Sequence, residues 1–217
     1  MPALSELKIK LFADGAELKV IAEMNQNPLI KGFTTNPTLM RKANITDYKA
    51  FSLEALKIVT DKPISFEVFS DDFDEMETQA QEIASWGRNV FVKIPVSNTR
   101  AEFSGALIKR LADAGVQLNI TAIMTPAQVT RVLACLSPRV SSFVSVFAGR
   151  IADSGRDPIP IMAECVKILT YYYRIRTGHL FWAIIHSGNP LGDFQGLIFQ
   201  QPPDKQAHEY DNNTPYN

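Results

Sequence analysis

A chain of 217 residues, 46% hydrophobic and 21% charged, is long enough to bury one sizeable core. Its formal net charge of −1 and pI of about 6.3 offer no basic surface for nucleic acid and no polybasic patch for a membrane. No apolar run approaches the roughly 20 residues of a membrane span, and MPALSELKIK lacks the apolar centre of a secretory signal, so a cytoplasmic protein is expected.

Short β-rich runs alternate with helical patterns. In chain order the strand candidates are LKIKLFAD, KGFTTN, ISFEVF, VFVKIPV, QLNITAIM, SFVSVFAG and HLFWAII. Between the third and fourth, Phe73, Met76, Ala80, Ile83 and Ala84 fall on one helical face; after the fourth, Phe103, Ala106, Leu107, Leu111 and Ala114 do so. Thr99 with Glu102 has the spacing of a capping box. Thr125-Pro126-Ala127-Gln128 combines an N-cap, a proline at the first helical position and a glutamine at the third. Cys135 and Cys165 sit in helical patterns without a CxxC partner and are expected as reduced core thiols. Tyr171, Tyr172 and Tyr173 read as packing or interface residues. His179, His186 and His208 are too scattered to suggest a metal site.

Repeated βα units with strands this apolar predict a parallel sheet covered by helices. One polar side chain recurs per unit. Asp14, Asn36, Glu67, Lys93, Asn119 and Ser145 lie 22, 31, 26, 26 and 26 residues apart. That rhythm predicts a TIM-type (β/α)8 barrel, in which each strand sends a group toward the C-terminal mouth. The alternative, a doubly wound open sheet, predicts a glycine-rich phosphate turn, and the sequence contains no G-x-G-x-x-G.

The chain changes character after His186. Residues 187–217, SGNPLGDFQGLIFQQPPDKQAHEYDNNTPYN, hold no convincing element beyond a short GLIFQ. We therefore divide the chain into a barrel over 1–186 and a divergent tail over 187–217. The barrel's eighth strand and terminal helix are expected to be altered or missing. A missing strand would leave two open sheet edges.

Within VFVKIPV, strand alternation turns Val90, Val92, Ile94 and Val96 to the helices and Phe91, Lys93 and Pro95 into the barrel. A lysine in a dry interior is either a nucleophile able to form a Schiff base with a carbonyl, or a structural cation paired with Glu67 or Asp14. Two inward carboxylates near one lysine favour proton-transfer chemistry. Asn119 and Thr121 share one face of the fifth strand and offer hydrogen bonds to hydroxyls.

LFADGAEL, GFTTNPTLM, ISFEVF, VFVKIPV, LNITAIMT and SVFAGRIADSGRDP together make the stretch from Lys8 to Ala183 resemble the small, single-domain transaldolases. The resemblance implies a (β/α)8 barrel and Schiff-base chemistry with neither metal nor cofactor. It implies Lys93 as the nucleophile, Asp14 as acid/base for C–C cleavage, and Glu67 with Thr121 as proton shuttles. Asn36, Asn119 and Ser145 are implied to bind donor hydroxyls, Phe147 to line the pocket, and Arg150 to bind the substrate phosphate. The implied partners are sugar phosphates and further copies of the chain in a homo-oligomer. The similar fructose-6-phosphate aldolases carry Gln and Tyr where Glu67 and Phe147 stand, so these two residues favour transfer over simple cleavage.

The chain departs from that family in its seventh strand. There the family has a serine and then an arginine after Trp-Ala, whereas this chain reads Trp182-Ala183-Ile184-Ile185-His186. We read the tail as out-of-frame translation, since codons read one base later can spell Ser-Ser-Ile-Arg after Ala183. A gene whose shifted frame encodes no such arginine would refute this. Two functional readings follow: a working transaldolase, and a transaldolase-like protein that binds sugar phosphates without turning them over.

Overall fold

The computed structural model describes residues 10–176, 181–186 and 197–198. Its strands are β1 (Leu11–Asp14), β2 (Ile30–Thr34), β3 (Ile64–Glu67), β4 (Val90–Pro95), β5 (Leu118–Ile123), β6 (Ser142–Val146), β7 (Phe181–His186) and β8 (Leu197–Ile198). Between them lie helices α1 (Leu18–Asn25), α2 (Pro37–Lys42), α3 (Tyr48–Ile58), α4 (Phe73–Ala84), α5 (Gly105–Asp113), α6 (Pro126–Leu133), α7 (Ala148–Asp153) and α8 (Pro158–Arg176). The first seven strands pair parallel in chain order, and β8 pairs with both β7 and β1 to close a barrel. The TIM-type expectation therefore holds, and the open-sheet alternative does not.

The eighth strand is altered rather than missing. It arises within GLIFQ, spans two residues and runs antiparallel to both neighbours, with Leu197 opposite Phe12 and His186, and Ile198 opposite Leu11 and Ile185. Only residues 187–196 separate it from β7. A parallel neighbour needs a crossover of roughly a dozen residues or more, so a link this short permits only an antiparallel return. The two open edges expected from a missing strand are thus absent among the described residues. The expected loss of a terminal helix, and His179 and His208, fall outside the described residues.

Helices pack on the outside. The face predicted for α4 is the one observed, with Met76, Ala80 and Ile83 buried. The Asp72 carboxylate caps it by accepting from the Asp74 and Glu75 amides at 3.0 and 3.1 Å. The Thr125–Gln128 capping box of α6 also forms. The Thr99–Glu102 box does not. Asn98 takes the amides of Arg100 and Glu102 on its own Oδ1 at 3.1 and 2.9 Å, while Thr99 donates its amide and hydroxyl to Asp71. With those donors satisfied locally, α5 starts at Gly105. It buries Leu107, Ile108, Leu111 and Ala112, and leaves the predicted Ala106 and Ala114 exposed. Both cysteines are free; Cys165 is buried in α8, and half-buried Cys135 lies just past the end of α6. Tyr172 packs partly against the core and Tyr171 is exposed; Tyr173 lies in α8, its side chain outside the description.

Inside the barrel, Phe12, Phe91 and Phe143 are buried and in ring contact, with Phe143 centred 5.5 Å from Phe12 and 4.3 Å from Phe91. Each sits two residues before a polar residue of the same strand: Asp14, Lys93 and Ser145. Alternation therefore stacks an aromatic floor directly beneath a polar layer. Gly32 makes room for that floor, because a Cβ there would collide with the Phe12 ring.

Candidate active site

Asp14 and Glu67 end β1 and β3, Ser145 is next to last in β6, and Lys93 and Asn119 lie earlier in β4 and β5. Glu67, Lys93 and Asn119 lie side by side in register across β3, β4 and β5. The Lys93 side chain is 2% exposed, and its Nζ lies 3.3 Å from Oε2 of Glu67, whose side chain is 18% exposed. Such a pair sets a buried amine beside a carboxylate oxygen. That is the arrangement needed for an amine to attack a carbonyl and for the resulting carbinolamine to lose water.

Asp14 stands at the end of β1. Its Oδ1 accepts from the Thr34 hydroxyl at 2.7 Å, from the register partner on β2. Its Oδ2 is buried and has no hydrogen-bond partner among the described residues. Burial pushes the Asp14 carboxyl above its ordinary range. The Lys93 charge and the Thr34 hydrogen bond oppose that shift, and the Glu67 charge adds to it. A carboxyl tuned upward and coupled to a second carboxyl group is an arrangement by which a site can separate acid and base roles.

From the same layer a chain of hydrogen bonds links β6, β5 and β3. The Ser145 hydroxyl donates to Asn119 Oδ1 at 2.6 Å, and Asn119 Nδ2 donates to the Ser65 hydroxyl oxygen at 3.0 Å. All three residues are fully buried. This fixes the amide orientation of Asn119. Thr121 is 1% exposed, with its hydroxyl unpartnered among the described residues. Immediately after it β5 bulges. Ile120 pairs with Val144 and Ile123 with Val146, so Thr121 and Ala122 together oppose Ser145. Ala122 has φ 60°, a left-handed conformation that a Cβ-bearing residue adopts at an energetic cost. Bulges of this kind re-aim side chains at the rims of barrels.

The remaining predicted residues stand farther out. Asn36 caps α2, its Oδ1 accepting from the Leu39 amide at 3.0 Å. Phe147 is half-buried at the β6–α7 junction, its amide donating to the Ile123 carbonyl at 2.8 Å. Arg150, on α7, is exposed and pairs with Asp153 at 3.2 Å. An exposed pair of this kind is weak, so the guanidinium can exchange its partner for an anion. Sequence reasoning did not single out Thr34, Ser65 or Tyr48, which respectively hold Asp14, Asn119 and the Glu67 backbone. Among the described residues no group of three or more His, Cys, Asp or Glu is placed to hold a metal ion, and no helix is long and apolar enough to cross a membrane.

The profile of the Transaldolase/Fructose-6-phosphate aldolase family matches residues 11–186. A probable transaldolase of Streptococcus agalactiae serotype V is 35% identical over 164 residues, covering 76% of this chain and 72% of that one. Another from Dehalococcoides mccartyi is 34% identical with the same coverage. A third, from Nitrosopumilus maritimus, is 30% identical over 178 residues, 82% of this chain and 76% of its own. Among solved structures, the type I 3-dehydroquinate dehydratase of Clostridium difficile, crystallised with covalently modified comenic acid, superposes with a TM-score of 0.52. It is 11% identical and covers 83% of this chain and 76% of its own, a likeness of fold alone.

Proposed function

The chain belongs to the transaldolase/fructose-6-phosphate aldolase family, and from that premise we propose that it transfers a dihydroxyacetone unit between sugar phosphates through a Schiff base on Lys93. The observation that carries this reading is the Lys93–Glu67 pair, an amine 2% exposed with a carboxylate oxygen 3.3 Å away. Lys93 attacks the ketone carbon of a donor such as sedoheptulose 7-phosphate or fructose 6-phosphate. Glu67, with the Thr121 hydroxyl, carries protons as the carbinolamine loses water to give the imine. Asp14 takes the proton from the donor's C4 hydroxyl as the C3–C4 bond breaks. The aldose phosphate leaves, and the electron pair of the broken bond delocalises into the imine as an enamine. Attack of that enamine on a second aldose phosphate, with Asp14 returning the proton, rebuilds the bond. Hydrolysis of the new imine frees the amine and the ketose.

Asn119, Ser145 and Asn36 bind the donor's hydroxyls, and Arg150 takes the phosphate once it leaves Asp153. A guanidinium fork suits a phosphate. Glu67 and Phe147 favour transfer over the simple cleavage of a fructose-6-phosphate aldolase. A second reading rests on the seventh strand, where Ile184 follows Ala183 and no arginine follows before the end of β7. On that reading the chain captures a ketose phosphate but releases nothing.

Borohydride trapping tests both readings. With fructose 6-phosphate and borohydride, the protein is expected to gain the mass of a reduced three-carbon adduct, and Lys93→Ala is expected to gain none. A reduced adduct of all six carbons would favour capture without cleavage. No adduct on a chain folded by circular dichroism would refute the Schiff-base reading.

A further inference from the structure

β3 ends where one of its neighbours has already turned away. β2 and β3 pair only through Phe33 with Ile64 and Thr34 with Ser65. One residue on, the Thr35 amide donates to the Ser65 carbonyl at 3.1 Å, and by Pro37 the chain has entered α2. On the opposite edge the Val68 amide donates to the Lys93 carbonyl at 3.2 Å. The N–H and C=O of one peptide point to opposite edges of a strand. The peptide joining Glu67 to Val68 therefore aims its N–H at β4 and its carbonyl at the side β2 has vacated. A covered carbonyl left without a donor is costly.

The donor that meets it comes from a helix. The Tyr48 hydroxyl lies 2.9 Å from the Glu67 carbonyl oxygen. Tyr48 is the first residue of α3, whose start is fixed by the Asp47 side chain accepting from the Ala50 amide at 2.9 Å. Its ring meets Phe69, Trp86 and Phe66 edge-on, with centroids 4.5, 5.5 and 6.2 Å away. Burial, and then the Glu67 charge, hold the phenol far above its ordinary range, so it stays a donor across the working pH.

We infer that Tyr48 is a positioning residue for Glu67, standing in for the absent strand partner so that the end of β3 holds the Glu67 carboxylate against the Lys93 amine. The inference rests on the Schiff-base reading of Lys93. It adds that α3, on the outside of the barrel, sets the proton-transfer geometry within. Tyr48→Phe keeps the ring and removes only the hydroxyl. Freed of that bond, the Glu67 carboxylate samples positions farther from Nζ, and misplacements of about 1 Å can cost roughly a hundredfold in rate.

The test is timed borohydride trapping of the fructose 6-phosphate adduct on the full chain. Tyr48→Phe is expected to form the imine about ten- to a hundredfold more slowly than the parent. Trp86→Phe, which loosens the same aromatic cluster but leaves the hydroxyl in place, is expected to lower the melting temperature while trapping at the parental rate. In a Glu67→Gln background the Tyr48→Phe effect is expected to vanish, because it acts through that carboxylate. Parental trapping by Tyr48→Phe, equal slowing by Trp86→Phe, or an undiminished effect in Glu67→Gln would each overturn the inference. If the parent itself forms no adduct, the Schiff-base reading fails on its own. The crystal structure of Tyr48→Phe then decides: a Glu67 carboxylate displaced from Lys93 upholds the positioning role, and an unmoved one overturns it.

Discussion

Replacing Glu67 by alanine is expected to cost about 3 kcal/mol of folding free energy, whereas replacing Lys93 by methionine should cost clearly less, because the carboxylate left behind is the more exposed partner. The asymmetry follows from burial. Lys93 is 2% exposed, so a charge left there without its carboxylate cannot recruit water in exchange. Glu67 is the more exposed partner at 18%, and Asp14 still feels the Lys93 charge, so the loss belongs at the low end of what breaking a buried pair costs. Methionine in place of Lys93 removes the buried cation altogether and fills similar space above Phe91. The same substitution leaves no amine to attack a carbonyl, so borohydride adducts should be absent. Denaturant titration of the two variants is the measurement. A Lys93→Met protein several kcal/mol less stable than the parent would make the lysine a structural cation, the alternative that strand alternation alone left open.

The second large effect concerns Asp14. Asp14→Asn is expected to lower kcat by about 10²- to 10⁴-fold, the usual range for loss of a general acid/base, and at neutral pH to raise stability. Burial lifts the folded-state value above the ordinary 3.8, so the folded protein keeps a proton where the unfolded chain has lost it. Through that window stability falls as pH rises. Below about 3.8 both states are protonated and the penalty is absent; above the raised value it is fully present. Asparagine removes the titration and still accepts from Thr34. Parent and variant should therefore melt at similar temperatures in acid and diverge as pH climbs, the variant remaining higher. A variant less stable than the parent at neutral pH would contradict the account.

Much of the barrel was legible because two periodicities overlap. Strand alternation and the length of a βα unit force one mouth-facing side chain to recur at near-constant spacing, and the structure places Asp14, Glu67, Lys93, Asn119 and Ser145 at such strand positions. Thr34, Ser65 and Tyr48 escaped for a physical reason. A hydroxyl serves equally well as surface, cap or core, and its role is set by what it meets across the fold. Tyr48 meets a backbone carbonyl 19 residues away. Which carbonyl needs a donor depends on where β2 stops pairing with β3, a matter of register that no local pattern encodes. The Thr99–Glu102 spacing misled because Asn98, one residue earlier, had already captured the amides. GLIFQ marked the place of the closing strand, but its two residues carry no period, so its antiparallel direction was not legible.

That closing strand also changes the vector sum at the rim. Seven strands point the same way and deliver their final residues to one end of the barrel; β8 points the other way and delivers its final residue toward the opposite end. Barrels of this class often cradle a phosphate between the segments that follow their seventh and eighth strands. Here β8 is directed away from that end, so it brings its first residue there rather than its last. If Arg150 takes the phosphate as proposed, the anion is held from α7, on the β6 side of the barrel, rather than between the segments after the seventh and eighth strands.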